Sequence, residues 1–343
     1  EERAFRFFVG PYTNFSSSEL SQVYSSFIHT SSISRPFIAT QVLIDGIEDE
    51  IVAMKSGETI PVSIKWSNNL PTRIDDVVLE VKIDGGILNQ ASLQSFNGFY
   101  DSNTNIVRWD KSNYPDFASI QPGARNTVNI NFASLPLYQS GQLGQDEEIK
   151  LSVSISGKKP MEGGSLENIE NSIEKIIQIN SDLFVVADGF FRLGPFNNQG
   201  VVPPVVGQET EYTVTLSVTN SANVVSNAKV TTILPGYVVY KNQVSPATES
   251  VSFDPNTREV TWNIGAIARG SGLTQAGKEV SFLVGLTPSI SQVGSGPLLT
   301  GNIEISARDL FTGKTLRSTD RPVSIRLTND QGFLSSEARV VAE

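Results

Sequence analysis

The chain has 343 residues, 39% of them hydrophobic, and its 26 Lys and Arg residues against 36 Asp and Glu residues give a net charge of -10. At about 150 residues per domain, this length predicts two or three domains with sizeable cores. The acidic surface repels phosphate groups, so no nucleic-acid partner is expected. No apolar run reaches the ~20 residues that a membrane-spanning helix needs.

The chain contains no Cys and a single His, His29. Thiol chemistry, disulfides and sites built on several histidines are therefore excluded within one chain. His29 lies in an alternating run, which favours a half-exposed strand residue over a catalytic base. No enzymatic activity is expected.

The N-terminal segment predicts a hairpin in which residues 5–9 return through residues 23–33. We interpret residues 1–35 as the C-terminal hairpin of a preceding β-sandwich domain. Such a hairpin has an open sheet edge and an unburied apolar face, where a neighbouring strand can pair. The candidate assembly edge consists of Phe5, Phe7, Val9 and Phe27.

Residues 36–182 contain alternating apolar runs bounded by turn signals, the pattern of an all-β sandwich. Residues 166–179 fit both a helix face and strand alternation. The interpretation favoured here is a strand from Ile173 after one helical turn. A second sandwich is predicted over residues 183–328, ending in a hairpin of residues 302–307 and 323–327, and residues 329–343 are predicted to be a linker or flexible tail.

The two predicted sandwiches share landmarks at a nearly constant offset. Gly57 and Gly207 are 150 residues apart, Asn68 and Asn220 are 152 apart, Trp109 and Trp262 are 153 apart, and Val128 and Val280 are 152 apart. Such spacing predicts two tandem copies of one fold. The short linkers at residues 34–36 and 180–182 predict a stiff array.

Several segments resemble known surface-protein families. Residues 214–220 (VTLSVTN), the pair Leu234-Pro235 and residues 260–265 (VTWNIG) are similar to the conserved-repeat module, an immunoglobulin-like sandwich found in strings on prokaryotic surface proteins. Residues 1–8 (EERAFRFF), 66–72 (WSNNLPT), 97–100 (NGFY) and 311–313 (FTG) resemble membrane-anchored surface proteins of candidate-phyla-radiation bacteria (Patescibacteria).

The second resemblance implies a protein with a cytoplasmic tail, one membrane span and several outward-facing sandwiches. It implies an extracellular, cell-surface location, with the anchor in a segment outside this chain. The partners that it implies are other copies of the chain or neighbouring surface-protein domains.

Residues 45–50 form a dense acidic loop. Calcium takes six to eight oxygen ligands, and carboxylates clustered in a sandwich loop can supply several of them. Structural Ca²⁺ is therefore the one cofactor that the sequence suggests, although a solvated acidic loop remains the alternative because the spacing does not match an EF-hand. The candidate ligands are Asp45, Glu48, Asp49 and Glu50.

Aromatic residues could in principle form a sugar-stacking platform. Trp109 and Trp262 recur at one repeat position, which favours core packing instead. We also considered a covalent Lys–Asn bond at Lys65, but a strand lysine on a half-solvated sheet normally points outward.

The function that the sequence favours is structural. Tandem sandwiches joined by short linkers make a rod-like spacer or a component of an S-layer or filament-type lattice. An adhesin or carbohydrate-binding surface module is the alternative.

Overall fold

The computed structural model describes residues 2–11, 20, 22–32, 37–138, 147–161 and 163–342. These residues form a two-stranded hairpin and two β-sandwiches, which confirms the predicted all-β fold. Short 3₁₀ turns lie at Pro115–Ala118, Ile290–Gln292 and Ser335–Glu337. Over the described part of the chain, no helix combines the length and the apolar character needed to cross a bilayer.

The hairpin consists of β1 (Glu2–Val9) and β2 (Ser25–Ser32), which pair antiparallel as a separate two-stranded sheet. Phe7 lies opposite Phe27 and Phe5 lies opposite His29. Directly opposed residues share a face in an antiparallel pair, so these four side chains lie on the same face.

The first sandwich has one sheet in the order β3-β5-β11-β7 and a facing sheet in the order β4-β13-β12-β6-β9-β8, with β10 paired to β6. The first order is the A-B-E-D order of an immunoglobulin-like sheet, and β6, β12 and β13 take the places of strands C, F and G. The strands are β3 (Ile38–Ile44), β4 (Ile51–Met54), β5 (Thr59–Asn68), β6 (Ile74–Asp84), β7 (Leu88–Ser95), β8 (Phe99–Asp101), β9 (Ile106–Trp109), β10 (Ser119–Ile120), β11 (Arg125–Ser134), β12 (Glu148–Pro160) and β13 (Leu166–Ile179).

The sequence of β5 shows why these strands form a sandwich. Ile60, Val62, Ile64 and Trp66 alternate with exposed or half-buried residues, and each is at most 4% exposed. Successive side chains in a strand point to opposite faces, so this alternation buries one face and solvates the other. Lys65 lies on the solvated face, which confirms its predicted outward orientation.

The second sandwich has sheets in the orders β14-β15-β20-β17 and β18-β19-β16-β21-β22. Three of the landmark pairs of the sequence lie on corresponding strands, for example Trp109 in β9 and Trp262 in β19, and the pair Gly57 and Gly207 lies in the turns that precede β5 and β15. The strands are β14 (Leu183–Phe190), β15 (Thr210–Asn220), β16 (Val225–Ile233), β17 (Val238–Ser245), β18 (Ser250–Asp254), β19 (Glu259–Ile267), β20 (Lys278–Leu286), β21 (Ile303–Asp309) and β22 (Thr315–Asp320).

Each sandwich has its own hydrophobic core. The first core runs from Ile38 to Ile179 and the second from Leu183 to Leu327. Trp109 and Trp262 are fully buried at equivalent places, as predicted. The Asn97-Gly98 turn lies directly over Trp109, because a Cβ at Gly98 would come within 2.7 Å of the indole ring.

Two local predictions were wrong. Residues 166–179 form one continuous strand without a helical turn, because β13 pairs with β12 along its whole length. The last hairpin closes earlier than expected. Asp309 Oδ1 accepts two N–H groups of the turn and Gly313 has a positive φ, so the chain reverses there and the returning strand is β22. Residues 323–327 follow as irregular chain, and Val323, Ile325 and Leu327 are buried in the core.

The prediction of a linker or flexible tail over residues 329–343 also needs correction for residues 329–342. Asp330 is buried and accepts the backbone N–H groups of Phe191, Arg192 and Leu193 at 2.8–2.9 Å. Val340 is 1% exposed. These contacts hold the segment against the second sandwich.

Candidate functional site: the junction and the hairpin

Asn180, Ser181 and Asp182 connect the last strand of the first sandwich to the first strand of the second. The backbone N–H of Asn180 donates to the carbonyl oxygen of Met54 at 2.9 Å. The N–H of Asp182 donates to Ser221 Oγ of the second sandwich at 2.7 Å. The connection is therefore bonded to both sandwiches.

Ser181 binds the loop of residues 220–223, which joins β15 to β16. Its hydroxyl donates to Asn220 Oδ1 at 2.7 Å and accepts the N–H groups of Ala222 and Asn223 at 2.9 and 3.2 Å. A serine hydroxyl can do both because it has one donor and two lone pairs. One small side chain thus fixes the linker to the loop.

Asp309, at the end of β21, is a fully buried carboxylate at this junction. Its Oδ2 accepts Ser181 N–H and Asn223 Nδ2–H, both at 2.9 Å. Its Oδ1 accepts the N–H groups of Phe311 and Thr312 at 2.9 and 3.1 Å. A buried carboxylate is costly unless it is hydrogen-bonded, and four donors meet that requirement here.

Apolar contacts also cross the junction. Ala222 belongs to the second sandwich, yet it is fully buried in the core of the first. Asn223 Nδ2 donates to the carbonyl oxygen of Ile179 at 3.0 Å. The rings of Tyr138 and Phe184 meet edge-on with centroids 5.7 Å apart. The loop of residues 220–223 therefore closes the end of the first core.

Asp182 is a junction residue whose pKa is shifted. Burial raises the pKa of its carboxyl group above the usual range, and hydrogen bonds from Tyr138 N–H and the Ser56 hydroxyl oppose that rise. Tyr138 N lies 3.3 Å from Asp182 Oδ2. The folded state therefore favours the protonated form more than an unfolded chain does.

The hairpin contrasts with the junction because its apolar side chains face solvent. The predicted assembly-edge residues Phe5, Phe7, Val9 and Phe27 are 51–64% exposed. They share one face of the two-stranded sheet, and neither strand pairs with a third strand in the described chain. His29 on the same face is exposed and stacks on Phe27 at 6.4 Å between ring centroids.

The acidic loop is exposed between β3 and β4. Lys175 extends its ammonium group to the backbone carbonyl oxygens of Glu48 and Asp49, and Gln41 Nε2 donates to Glu48 Oε2 at 2.6 Å. Asp45 lies in a tight turn, where it has a φ of 50°. Among the residues that the structure describes, no three acidic or histidine side chains come together as a metal site.

The sequence pattern predicts the linker of residues 180–182 but not the roles of Asn223 and Asp309. Asn220, one of the repeat landmarks, was the available signal, since it ends a strand and its side chain binds this same loop. The other predicted linker, residues 34–36, lies outside the described residues.

No protein-family model and no curated protein matches the chain. Three solved structures illustrate the similarity to known folds. The C-terminal domain of the Streptococcus agalactiae antigen I/II polypeptide BspA is 13% identical, over 82% of this chain and 98% of that one, with a TM-score of 0.31. That of the Streptococcus pyogenes antigen I/II-family protein AspA is 12% identical, over 84% and 99%, with a TM-score of 0.29. A cohesin–dockerin complex of Clostridium thermocellum is 13% identical, over 44% and 99%, with a TM-score of 0.22. These similarities are too low to support an argument about function.

Proposed function

We propose that the chain is a structural element of an exported cell-surface protein, either a rod-like spacer or part of an S-layer or filament-type lattice. The buried junction carries this proposal. A spacer must keep its domains in a fixed relation, and the hydrogen bonds of Ser181, Asn223 and Asp309 do this. The resemblance of the sequence to surface proteins supports the extracellular location.

Small-angle X-ray scattering of the purified chain tests the spacer. A rigid pair of sandwiches gives one distance distribution that is unchanged between low and high salt, because the junction bonds are buried and little screened. A distribution that requires many inter-sandwich orientations would contradict the proposal.

The hairpin supports a second part of the proposal, assembly with other copies of the chain. An isolated two-stranded sheet is only marginally stable in water, and no third strand of the described residues pairs with either edge of the hairpin. A second copy offers an identical hairpin. Two hairpins can therefore pack face to face around a two-fold axis and bury the face that carries Phe5, Phe7, Val9 and Phe27.

Light scattering of the full chain and of a variant lacking residues 1–35 tests this assembly. The full chain should form oligomers and the shortened chain should be monomeric. An oligomer that survives the deletion would contradict the role of the hairpin. The same measurement in millimolar calcium and in chelator tests whether Asp45, Glu48, Asp49 and Glu50 take part in a calcium site.

The alternative of a sugar-stacking surface built on tryptophan is not favoured. Trp66, Trp109 and Trp262 are at most 4% exposed, so none of them can stack on a ligand.

A further inference from the structure

A groove on the second sandwich has no role in the junction or the hairpin. It measures about 550 Å³ and lies where the loop of residues 294–296, the irregular chain of residues 326–328 and the C-terminal segment of residues 333–339 meet. Small-molecule sites typically occupy about 300–1,000 Å³, so the groove is large enough for a short oligosaccharide.

The charge of the groove is opposite to that of the whole protein. Arg326 and Arg339 line it, both exposed, and no carboxylate does. Neither guanidinium group makes an ion pair or a hydrogen bond within the described residues. In a chain of net charge -10, two unpaired arginines in one groove form a local anion-attracting site.

A second groove shows that this arrangement is not general on this protein. The groove around Asp76 is lined by three basic residues and three acidic ones, and each of its three cations is paired with a carboxylate. Lys111 and Lys158 bind the two oxygens of Asp76 at 2.8 and 3.1 Å. Its cations are already neutralised, whereas Arg326 and Arg339 are free to bind an external anion.

The wall of the first groove is held in place before any ligand arrives. Glu337 binds Arg192 through two hydrogen bonds of 2.8 and 2.9 Å, and Arg192 lies over the ring of Phe333 at 5.7 Å. Gly296 approaches Arg326 closely, since a Cβ there would lie 3.3 Å from Arg326 Nε. Preorganised walls reduce the entropy lost on binding.

The remaining lining favours a saccharide over a peptide. Thr328 and Ser335 offer hydroxyl groups, and the half-buried Phe333 offers apolar surface. The backbone along the groove is already paired, because Gly294 N–H donates to the Val340 carbonyl oxygen at 2.8 Å and Val340 N–H to the Ser295 carbonyl oxygen at 2.9 Å. A peptide that adds a strand needs free backbone groups, and these two hydrogen bonds already occupy the backbone where residues 294–295 meet Val340.

We propose that this groove binds an acidic saccharide and that Arg326 and Arg339 bind a uronate carboxylate of this ligand. Planar guanidinium groups match a carboxylate in two-point geometry. The hydroxyl groups and apolar floor contact the sugar rings. This site is independent of the spacer role.

Isothermal titration calorimetry of the full chain with tetragalacturonate at low salt tests the proposal. The wild type should bind, and Arg326→Gln and Arg339→Gln should each weaken binding at least tenfold, while Arg317→Gln should not. Arg317 is an exposed arginine of the same sandwich that pairs with Glu304 away from the groove. Both groove arginines are exposed and unpaired, so the variants should melt like the wild type.

Two further ligands decide the chemistry. The methyl ester of tetragalacturonate keeps the rings and loses the charge, so its binding should be at least tenfold weaker. Tetraglutamate carries the charge without the sugar, and it should also bind at least tenfold more weakly. Absence of tetragalacturonate binding, binding that both variants retain, or equal binding of either comparison ligand would overturn the assignment.

Discussion

The ends of the two sandwiches begin alike but differ in what they contact. Asn68 Nδ2 donates to the carbonyl oxygens of Thr72 and Ile120, and Asn220 Nδ2 donates in the same way to those of Asn223 and Ala268. Asn68 therefore fixes the loop that follows β5, and Asn220 fixes the loop that follows β15.

Beyond that shared element the two ends diverge. In the first sandwich, Leu70 of this loop packs against its own core. In the second sandwich, Ala222 enters the core of the neighbour and Asp309 binds the linker at Ser181. Meanwhile the hairpin before the first sandwich pairs only within itself, as far as the described chain shows. A few polar side chains therefore turn an ordinary sandwich end into a fixed junction.

Replacing Ala222 by Asp should break the junction most severely. The substitution forces a carboxylate into the apolar core of the first sandwich, which should lower the free energy of unfolding by about 3–5 kcal/mol. Urea unfolding measures the loss. Ala247→Asp, in an exposed loop of the second sandwich, is the matched control and should change little. Equal stability of the two variants would contradict the burial of Ala222.

Asp309→Ala tests the polar half of the junction. It leaves four N–H groups without their acceptor, two of them from the junction, and should cost about 2–4 kcal/mol. Asp101→Ala is the control, because Asp101 bonds only its own exposed turn. A loss of stability no greater than that of the control would show that the hydrogen bonds of Asp309 contribute little to the free energy of unfolding. Thermal and urea unfolding give the comparison.

Phe7→Ser tests whether the exposed face of the hairpin mediates self-association. Since Phe7 is 55% exposed, the stability of the monomer should change by less than about 0.5 kcal/mol, whereas self-association should weaken at least tenfold. Sedimentation equilibrium measures the association. Phe99→Ser removes a 66% exposed ring of the first sandwich and should leave association unchanged. If Phe99→Ser weakened association and Phe7→Ser did not, the contact between copies would lie outside the hairpin.

The smallest expected effect concerns pH at the junction. The pKa of Asp182 is raised by burial, so its contribution to stability is greatest below its unfolded-state pKa of about 3.8 and is lost as the pH rises through the folded value. Asp182→Asn should remove this dependence and leave a flatter stability curve above pH 4. Denaturant unfolding from pH 4 to 7 measures it, and an unchanged slope would show that Asp182 titrates normally.

The alternating strands and the core tryptophans could be predicted from sequence because period-two burial is local. The returning strand of the last hairpin could not, since the reversal depends on Asp309 binding its own turn. The junction also lay beyond prediction. Asn223 and Asp309 are 86 residues apart, and their contact follows from strand order rather than from any local pattern.

The distance between the two sandwiches tests the fixed junction most directly. The chain contains no Cys, so Ser102→Cys and Thr248→Cys, both exposed, can carry spin labels without competing thiols. Double electron–electron resonance should give one narrow distance distribution, and adding Asp309→Ala should broaden it. A broad distribution with Asp309 intact would contradict the rigid spacer.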